Sequence, residues 1–382
     1  MAAQFTLPKN PLYYLLILVP IAIIAELSHA SPTIVFLLSA GGLIPLAKLI
    51  GEATEELAVY TGPKLGGLLN ATLGNAAELI ITIFAIQAGL LDLVRASITG
   101  SIIGNLLLVL GLSLFMGGLK NGVQIFDRRT AGLNATLVLL AVMGLAIPSL
   151  FDHALVENPS SELLFSEGVA IIAIIVYALS VIYSFTSGKS AISHEGHDHP
   201  AESNGEAVQP VTREPAEVHT ARWSVRFAVI VLLLATVGTA IVSETLIGAV
   251  EPVTQQLGLT EFFLGIIIIP LVGNVAEHLV AVQVAIKNKM ELSLAVSLGS
   301  SLQIALFVAP VLVFISLLFG QRLLLVFNEF ELVALFATSL IAAFISLDGE
   351  SNWFEGAMLL AVYLILALAF FFLPEAAAAT HP

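Results

Sequence analysis

Long apolar runs follow one another from residue 11 to residue 373, divided by short polar breaks. A helix needs about twenty mostly apolar residues to cross the hydrocarbon of a bilayer. That ruler predicts eleven spanning helices, over 11–28, 32–50, 65–88, 92–117, 130–149, 164–185, 223–249, 260–286, 292–318, 329–347 and 353–373. The breaks carry turn chemistry: Ser31-Pro32, Gly62-Pro63, Gly117-Gly118, Asn158-Pro159, Glu251-Pro252 and Asp348-Gly349. The expected fold class is an all-α integral membrane protein. The first run, Leu12 to Ile24, lacks a basic leading segment and a small-residue cleavage site, so it reads as a spanning helix and not as a signal peptide.

Composition agrees. The chain is 58% hydrophobic and only 11% charged, whereas soluble domains carry about a quarter charged residues. Cysteine is absent, which excludes disulfides, zinc–thiolate sites and iron–sulfur clusters. Nothing resembles a basic nucleic-acid surface. The net charge of −14 matters less than where the basic residues fall. With the N-terminus in the cytoplasm and eleven crossings, twelve of the 14 lysines and arginines lie inside and only Arg95 and Arg322 outside. Excess Lys and Arg on the cytoplasmic side is the usual topology signal. The one long polar stretch, Ser187 to Ala221, holds His194, Glu195, His197, Asp198 and His199. It reads as a solvated cytoplasmic linker, or alternatively as a divalent-cation sensor, since His and carboxylates bind metals.

The chain repeats itself. Gly74-Asn75-Ala76-Ala77-Glu78 recurs 199 residues later as Gly273-Asn274-Val275-Ala276-Glu277, and the same offset carries Gly100-Ser101 onto Gly299-Ser300. The expected organisation is an N-terminal helix (1–30), a first five-helix repeat (31–186), the His/acidic linker (187–221), a second five-helix repeat (222–376) and a tail (377–382). An odd number of helices per copy inverts the second copy in the membrane, an architecture common among secondary transporters, which bind substrate near the midplane where repeats meet.

Glu78 and Glu277 sit deep in apolar helices, where a carboxylate costs several kcal/mol and marks an ion pathway by default. The bland alternative is a protonated Glu bonded across helices. Two glutamates at equivalent positions, each behind Gly-Asn, favour the ion pathway. Gly74 and Gly273 loosen the helix and free carbonyl oxygens. Asn75 and Asn274 share their Glu's face, three residues before it. Pro270 should bend the second motif helix, and the first has no counterpart. On the following helices, Ser101, Asn105, Ser300 and Gln303 offer further oxygens, or serve merely as polar packing. The all-oxygen set suits calcium, which takes six to eight oxygens in flexible geometry. Two like charges in a low-dielectric site do not both stay ionised without the ion, so metal and proton compete for the same oxygens. His278, next to Glu277, is either a packed side chain or a proton relay or gate. Glu52, Glu55 and Glu56 at the inner side, and Glu244 and Glu251 at the outer side, are either solvated or line a vestibule; Glu56 and Glu244 are the foremost vestibule candidates.

At GNAAELI (74–80), GNVAEH (273–278), GSSLQIALFVAP (299–310) and SIIGNLLLVLG (101–111) the chain resembles the calcium/proton exchangers of the calcium/cation antiporter superfamily. The resemblance covers nearly the whole chain. It implies a transporter and not an enzyme, without a cofactor, exchanging Ca2+ for H+ with one glutamate from each repeat at the ion site, here Glu78 and Glu277. It leaves room for a homo-oligomer. The expected location is a prokaryotic cell membrane, with a vacuolar membrane the eukaryotic alternative. A sodium-coupled or manganese-preferring antiporter, and a passive cation channel, stand as alternatives.

Overall fold

The computed structural model describes residues 11–155, 159–186 and 221–374. The His/acidic run of the linker, residues 187–220, lies outside them. In chain order the helices are α1 (Pro11–Leu27), α2 (Pro32–Gly62), α3 (63–73), α4 (Ala76–Gln87), α5 (Leu91–Asn121) and α6 (Arg128–Leu155). There follow α7 (Pro159–Thr186), α8 (Val225–Leu257), α9 (Glu261–Ile286), α10 (Met290–Leu318), α11 (Glu329–Ser346) and α12 (Trp353–Phe372). Among the described residues nine of these, α2 and α5 to α12, are long and apolar enough to cross a membrane, and α1 and α4 are shorter apolar helices.

Several bounds depart from those read in the sequence. The second helix does not stop at residue 50 but runs on to Gly62, because Glu52, Glu55 and Glu56 continue it beyond the apolar run. There Gly62 adopts φ 79°, a left-handed conformation that costs glycine little, and the chain turns so that Gly66 packs on Ala58. The third stretch is interrupted: α3 ends at Leu73, Asn75 leaves helical geometry, and α4 begins at Ala76. The second motif stays helical through Gly273 and Asn274, and its irregularity lies upstream, a π-helical turn at Leu264–Ile268 just before Pro270. Further π-turns occupy Gly104–Val109 in α5 and Ile304–Val308 in α10, each following the Ser of its Gly-Ser pair. Such turns recur at functional sites because they rotate side chains out of helical register.

Burial sorts the helices. The apolar window of α5 is 72% buried and that of α10 61%, so these form the centre. The windows of α7, α8 and α12 are each 22% buried and present apolar surface outward, as lipid-facing helices do. Starts and stops follow local chemistry: Pro32 opens α2, and Asn328 with Glu331 and Asn352 with Glu355 form capping boxes at α11 and α12. At the lysine-rich end of the bundle (Lys120, Lys287, Lys289), Gln124 Nε2 donates to the Ala285 carbonyl at 2.9 Å and to Asn288 Oδ1 at 3.0 Å. A short antiparallel pair, Gln124–Ile125 with Glu350–Ser351, lies alongside.

The two ends of the bundle are packed differently. Towards the end that carries Asp92, α5 and α9 touch backbone to backbone: a Cβ at Gly100 would overlap the carbonyl oxygen of Ile266, and one at Gly265 would come within 2.8 Å of Ala96 Cβ and of the Leu93 oxygen. Gly299, at the matching position of α10, has nothing within 4 Å of a Cβ. Gly100→Ala is therefore expected to destabilise by about 1–3 kcal/mol through overpacking. Gly299→Ala should be neutral or stabilising, since alanine is the better helix former. Thermal unfolding of the two variants in detergent checks this; equal melting temperatures would contradict the asymmetry.

Candidate ion-binding site

Asn75 is the residue before α4, so Glu78 falls in that helix's first turn, where free backbone N–H groups favour an anion. Glu277 lies within α9. The two helices bring the motifs face to face. A Cβ at Gly74 would stand 3.3 Å from Glu277 Oε1, and one at Gly273 would stand 3.6 Å from Glu78 Cβ. Gly74 thus makes room for the opposite motif's glutamate, a role that the sequence reading, concerned with loosening the helix, did not give it, while at Gly273 a Cβ would make an ordinary contact with Glu78.

The polar groups form three hydrogen-bonded sets around the two motifs. Glu78 is 1% exposed and accepts hydrogen bonds from Ser101 Oγ and, at 3.5 Å, from Asn274 Nδ2. Asn274 Nδ2 also reaches Ser101 Oγ at 3.2 Å. Glu277 is held by Ser300, whose Oγ in turn accepts from Asn105 Nδ2 at 3.1 Å. Asn75 Nδ2 donates to Gln303 Oε1 at 2.7 Å. The equivalence of the motifs is therefore broken: Asn274 serves the opposite glutamate, while Asn75 is taken by Gln303. Two buried oxygens remain without a hydrogen bond, Glu277 Oε2 and Asn75 Oδ1. Buried polar atoms are nearly always paired, so an orphan oxygen in a cluster of carboxylates needs an explanation, and a cation supplies one.

The structure brings Glu78, Glu277, Asn75, Asn274, Ser101, Ser300, Asn105 and Gln303 into this single cluster, with Gly74 and Gly273 as its close contacts. Pro270 is buried in α9 between the π-turn and the motif. His278 is buried beside Glu277 but stands outside these sets. Glu56 is engaged elsewhere: its Oε2 accepts from the backbone N–H groups of Arg222 (2.8 Å) and Trp223 (3.0 Å), tying down the start of the second half. Glu52 pairs with Lys48 at 2.9 Å and accepts from Tyr13. Glu55 is exposed and within electrostatic reach of Glu277, which the sequence gave no reason to single out from its neighbours. Glu244 is exposed and lines a cleft of about 200 Å³ with Phe84, Gln87, Ala88, Ile247 and Gly248. Sequence reading missed Glu331 altogether, a carboxylate 1% exposed in the first turn of α11. Its only signal was the Asn-x-x-Glu spacing, which reads as a helix start.

As chemistry the cluster is two carboxylates amid neutral amide and hydroxyl oxygens, with no sulfur. Among the described residues no group of three or more His, Cys, Asp or Glu is placed to hold a metal ion. Oxygens alone, carboxylate and neutral, are what a hard divalent cation takes.

Known proteins resemble this chain along nearly its whole length. Residues 31–186 and 227–372 match the sodium/calcium exchanger protein family. A Ca2+/H+ antiporter of Aphanothece halophytica is 45% identical over 373 residues, 96% of this chain and 98% of that protein. The Ca2+/H+ antiporter ChaA of Bacillus subtilis is 42% identical over 367 residues, 95% of this chain and 100% of its own. The solved structure of native YfkE superposes with a TM-score of 0.79 at 40% identity, covering 95% of this chain and 100% of YfkE. The chain belongs to the sodium/calcium exchanger family and, within it, stands with the calcium/proton antiporters.

Proposed function

We propose that this chain exports cytosolic calcium in exchange for protons, by alternating access to an ion held between Glu78 and Glu277. What carries the reading is the meeting of two carboxylates, buried Glu78 and half-buried Glu277, one from each Gly-Asn-x-Ala-Glu motif, where the buried oxygens Glu277 Oε2 and Asn75 Oδ1 have no hydrogen-bond partner. Two carboxylates neutralise one divalent ion, and neutral oxygens complete a flexible shell of the kind calcium accepts. Emptied of calcium, the pair must take up a proton, because two like charges do not both persist in a low-dielectric site. Exchange follows if the empty, fully charged site cannot cross. Calcium and protons are cargo here, and the mechanism asks for no cofactor.

In this reading α1 and the α3–α4 pair also span, which makes eleven crossings: an N-terminal helix (1–30) and two five-helix repeats of inverted topology (31–186 and 222–376) around a cytoplasmic linker (187–221). Support comes from the motif offset of 199 residues and from the family match, which falls in two stretches of similar length. The lysine-rich end faces the cytoplasm, by the excess of Lys and Arg there. The open space at Gly299 then belongs to a cytoplasmic access route, and the α5–α9 contact at Gly100 to the closed outer side. Ser101, Ser300 and Asn274 orient the carboxylates; Asn105 and Gln303 hold Ser300 and Asn75. Glu55 takes the inner vestibule role expected of Glu56, and Glu244 stands at the outer cleft.

Reconstituted in sodium-free liposomes with an imposed pH gradient, the wild type should take up calcium and move protons the other way, and Glu78→Gln and Glu277→Gln should both abolish exchange. Uptake without any gradient would mean a channel. Uptake only with sodium, or of manganese alone, would reassign the coupling ion or the cargo. Because protons and calcium compete, lowering pH on the loading side should raise the apparent KM for calcium with little change in maximal rate; a pH-independent KM would contradict shared carboxylates. Glu55→Gln should raise that KM several-fold, whereas Glu56→Gln should leave it unchanged.

A further inference from the structure

Glu331 is a buried carboxylate that the exchange mechanism does not use. Part of its environment is a helix cap. Its Oε2 accepts from the Asn328 backbone N–H at 2.9 Å, and its own backbone N–H donates to Asn328 Oδ1 at 2.9 Å. The cap does not account for the rest. The same capping box at α12 is built by Glu355, which stays partly exposed and bonds to Asn352. Glu331 is fully buried, and its second oxygen accepts from Thr99 Oγ1 of α5 at 2.9 Å. Arg95, one helical turn before Thr99, acts on it electrostatically and is itself ion-paired with Asp92.

Two features of position give this cluster a use. Thr99 immediately precedes Gly100, the point where α5 touches the Ile266 backbone, and stands two residues before Ser101, the hydroxyl that donates to Glu78. The cluster also has no counterpart at the other end of the bundle. At the offset of 199, Arg95, Thr99 and Glu331 correspond to Leu294, Leu298 and Gly132. There Gly299 faces open space where Gly100 is packed. A hydrogen-bonded tie thus stands beside the Gly100 contact, and the repeat-equivalent positions beside Gly299 carry no side chain that could form it.

We propose that Glu331 is a positioning residue: through Thr99 and Arg95 it ties α11 to α5 beside the α5–α9 contact, holds that end shut, and so biases the antiporter towards the state open at the lysine-rich end. This rests on alternating access as proposed above. A latch of this kind acts on a two-state equilibrium, and a ligand or mutation shifts such an equilibrium only through a difference in free energy between the states. Glu331→Gln keeps a residue suited to the capping box while removing the ionisable group on which Arg95 acts. Thr99→Val keeps the shape and removes the donor, a second route to the same tie should Glu331→Gln fold poorly.

The chain has no cysteine, so Gly299→Cys provides a single reporter at the open end. Its modification by a membrane-impermeant maleimide applied from the lysine-rich side should slow with Glu331→Gln or Thr99→Val, by up to about tenfold, the shift of the two-state equilibrium expected from losing one such hydrogen bond. In the cysteine-free background, the same two changes should raise the calcium KM from that side, and Glu355→Gln should do neither. Unchanged labelling and KM with only a lower melting temperature would overturn the latch and leave a plain helix cap. Reporter labelling in the otherwise wild-type chain that ignores both saturating calcium and an imposed pH gradient would instead overturn alternating access itself.

Discussion

The structure turns on the meeting of two carboxylates, buried Glu78 and half-buried Glu277, at one crossing of helices. Removing Glu78 and Glu277 from water is costly, and the fold surrounds them with the groups that lower the cost: Ser101 and Asn274 on one, Ser300 on the other. Those donors come from α5, α9 and α10, so the site exists only when the central helices are assembled. The glycines at 74 and 273 matter for the same reason. Both lie against the opposite motif's glutamate, and at Gly74 a Cβ would crowd Glu277 Oε1 at 3.3 Å.

The compensation is deliberately incomplete. A fully satisfied network would bury the carboxylates as inert structure. Here a carboxylate oxygen of Glu277 and the amide oxygen of Asn75 have no hydrogen-bond partner, which is the opening that the proposed exchange would use. Gln303 contributes to this by engaging the Asn75 amide nitrogen, which leaves the acceptor end of that side chain for something else. The two halves of the site are built from matching motifs and yet offer an ion different surroundings.

Around that centre the packing is uneven in a way that suits a transporter. Near Gly100 the helices meet backbone to backbone and are tied by Thr99, Arg95 and Glu331. Near Gly299 there is room. Tight apolar packing is bistable and not gradually deformable, so an uneven bundle of this sort is a natural element for a switch between two access states. The carboxylates outside the centre have other duties: Glu56 fastens the start of α8 to α2, and Glu52 joins α2 to α1 through Tyr13.

Hydropathy alone located the apolar helices, because a bilayer demands long uninterrupted runs of apolar residues and internal backbone hydrogen bonds. The duplicated Gly-Asn-x-Ala-Glu also exposed Glu78 and Glu277, since an acid inside such a run has no cheap structural explanation. Ser101 and Ser300 followed from equal spacing. What the sequence could not decide was which polar group faces which, because that depends on contacts between residues some two hundred positions apart. Tertiary structure paired Asn274 with the opposite glutamate, gave Asn75 to Gln303, bonded Glu56 to the backbone at Arg222 and Trp223 and set Glu55 within electrostatic reach of Glu277. It also revealed Glu331, whose spacing marks only a helix start, as a buried partner of Thr99. Spacing along one helix is written in the chain; the meeting of side chains across helices is settled by how closely the backbones can approach, and that is decided only when the bundle packs.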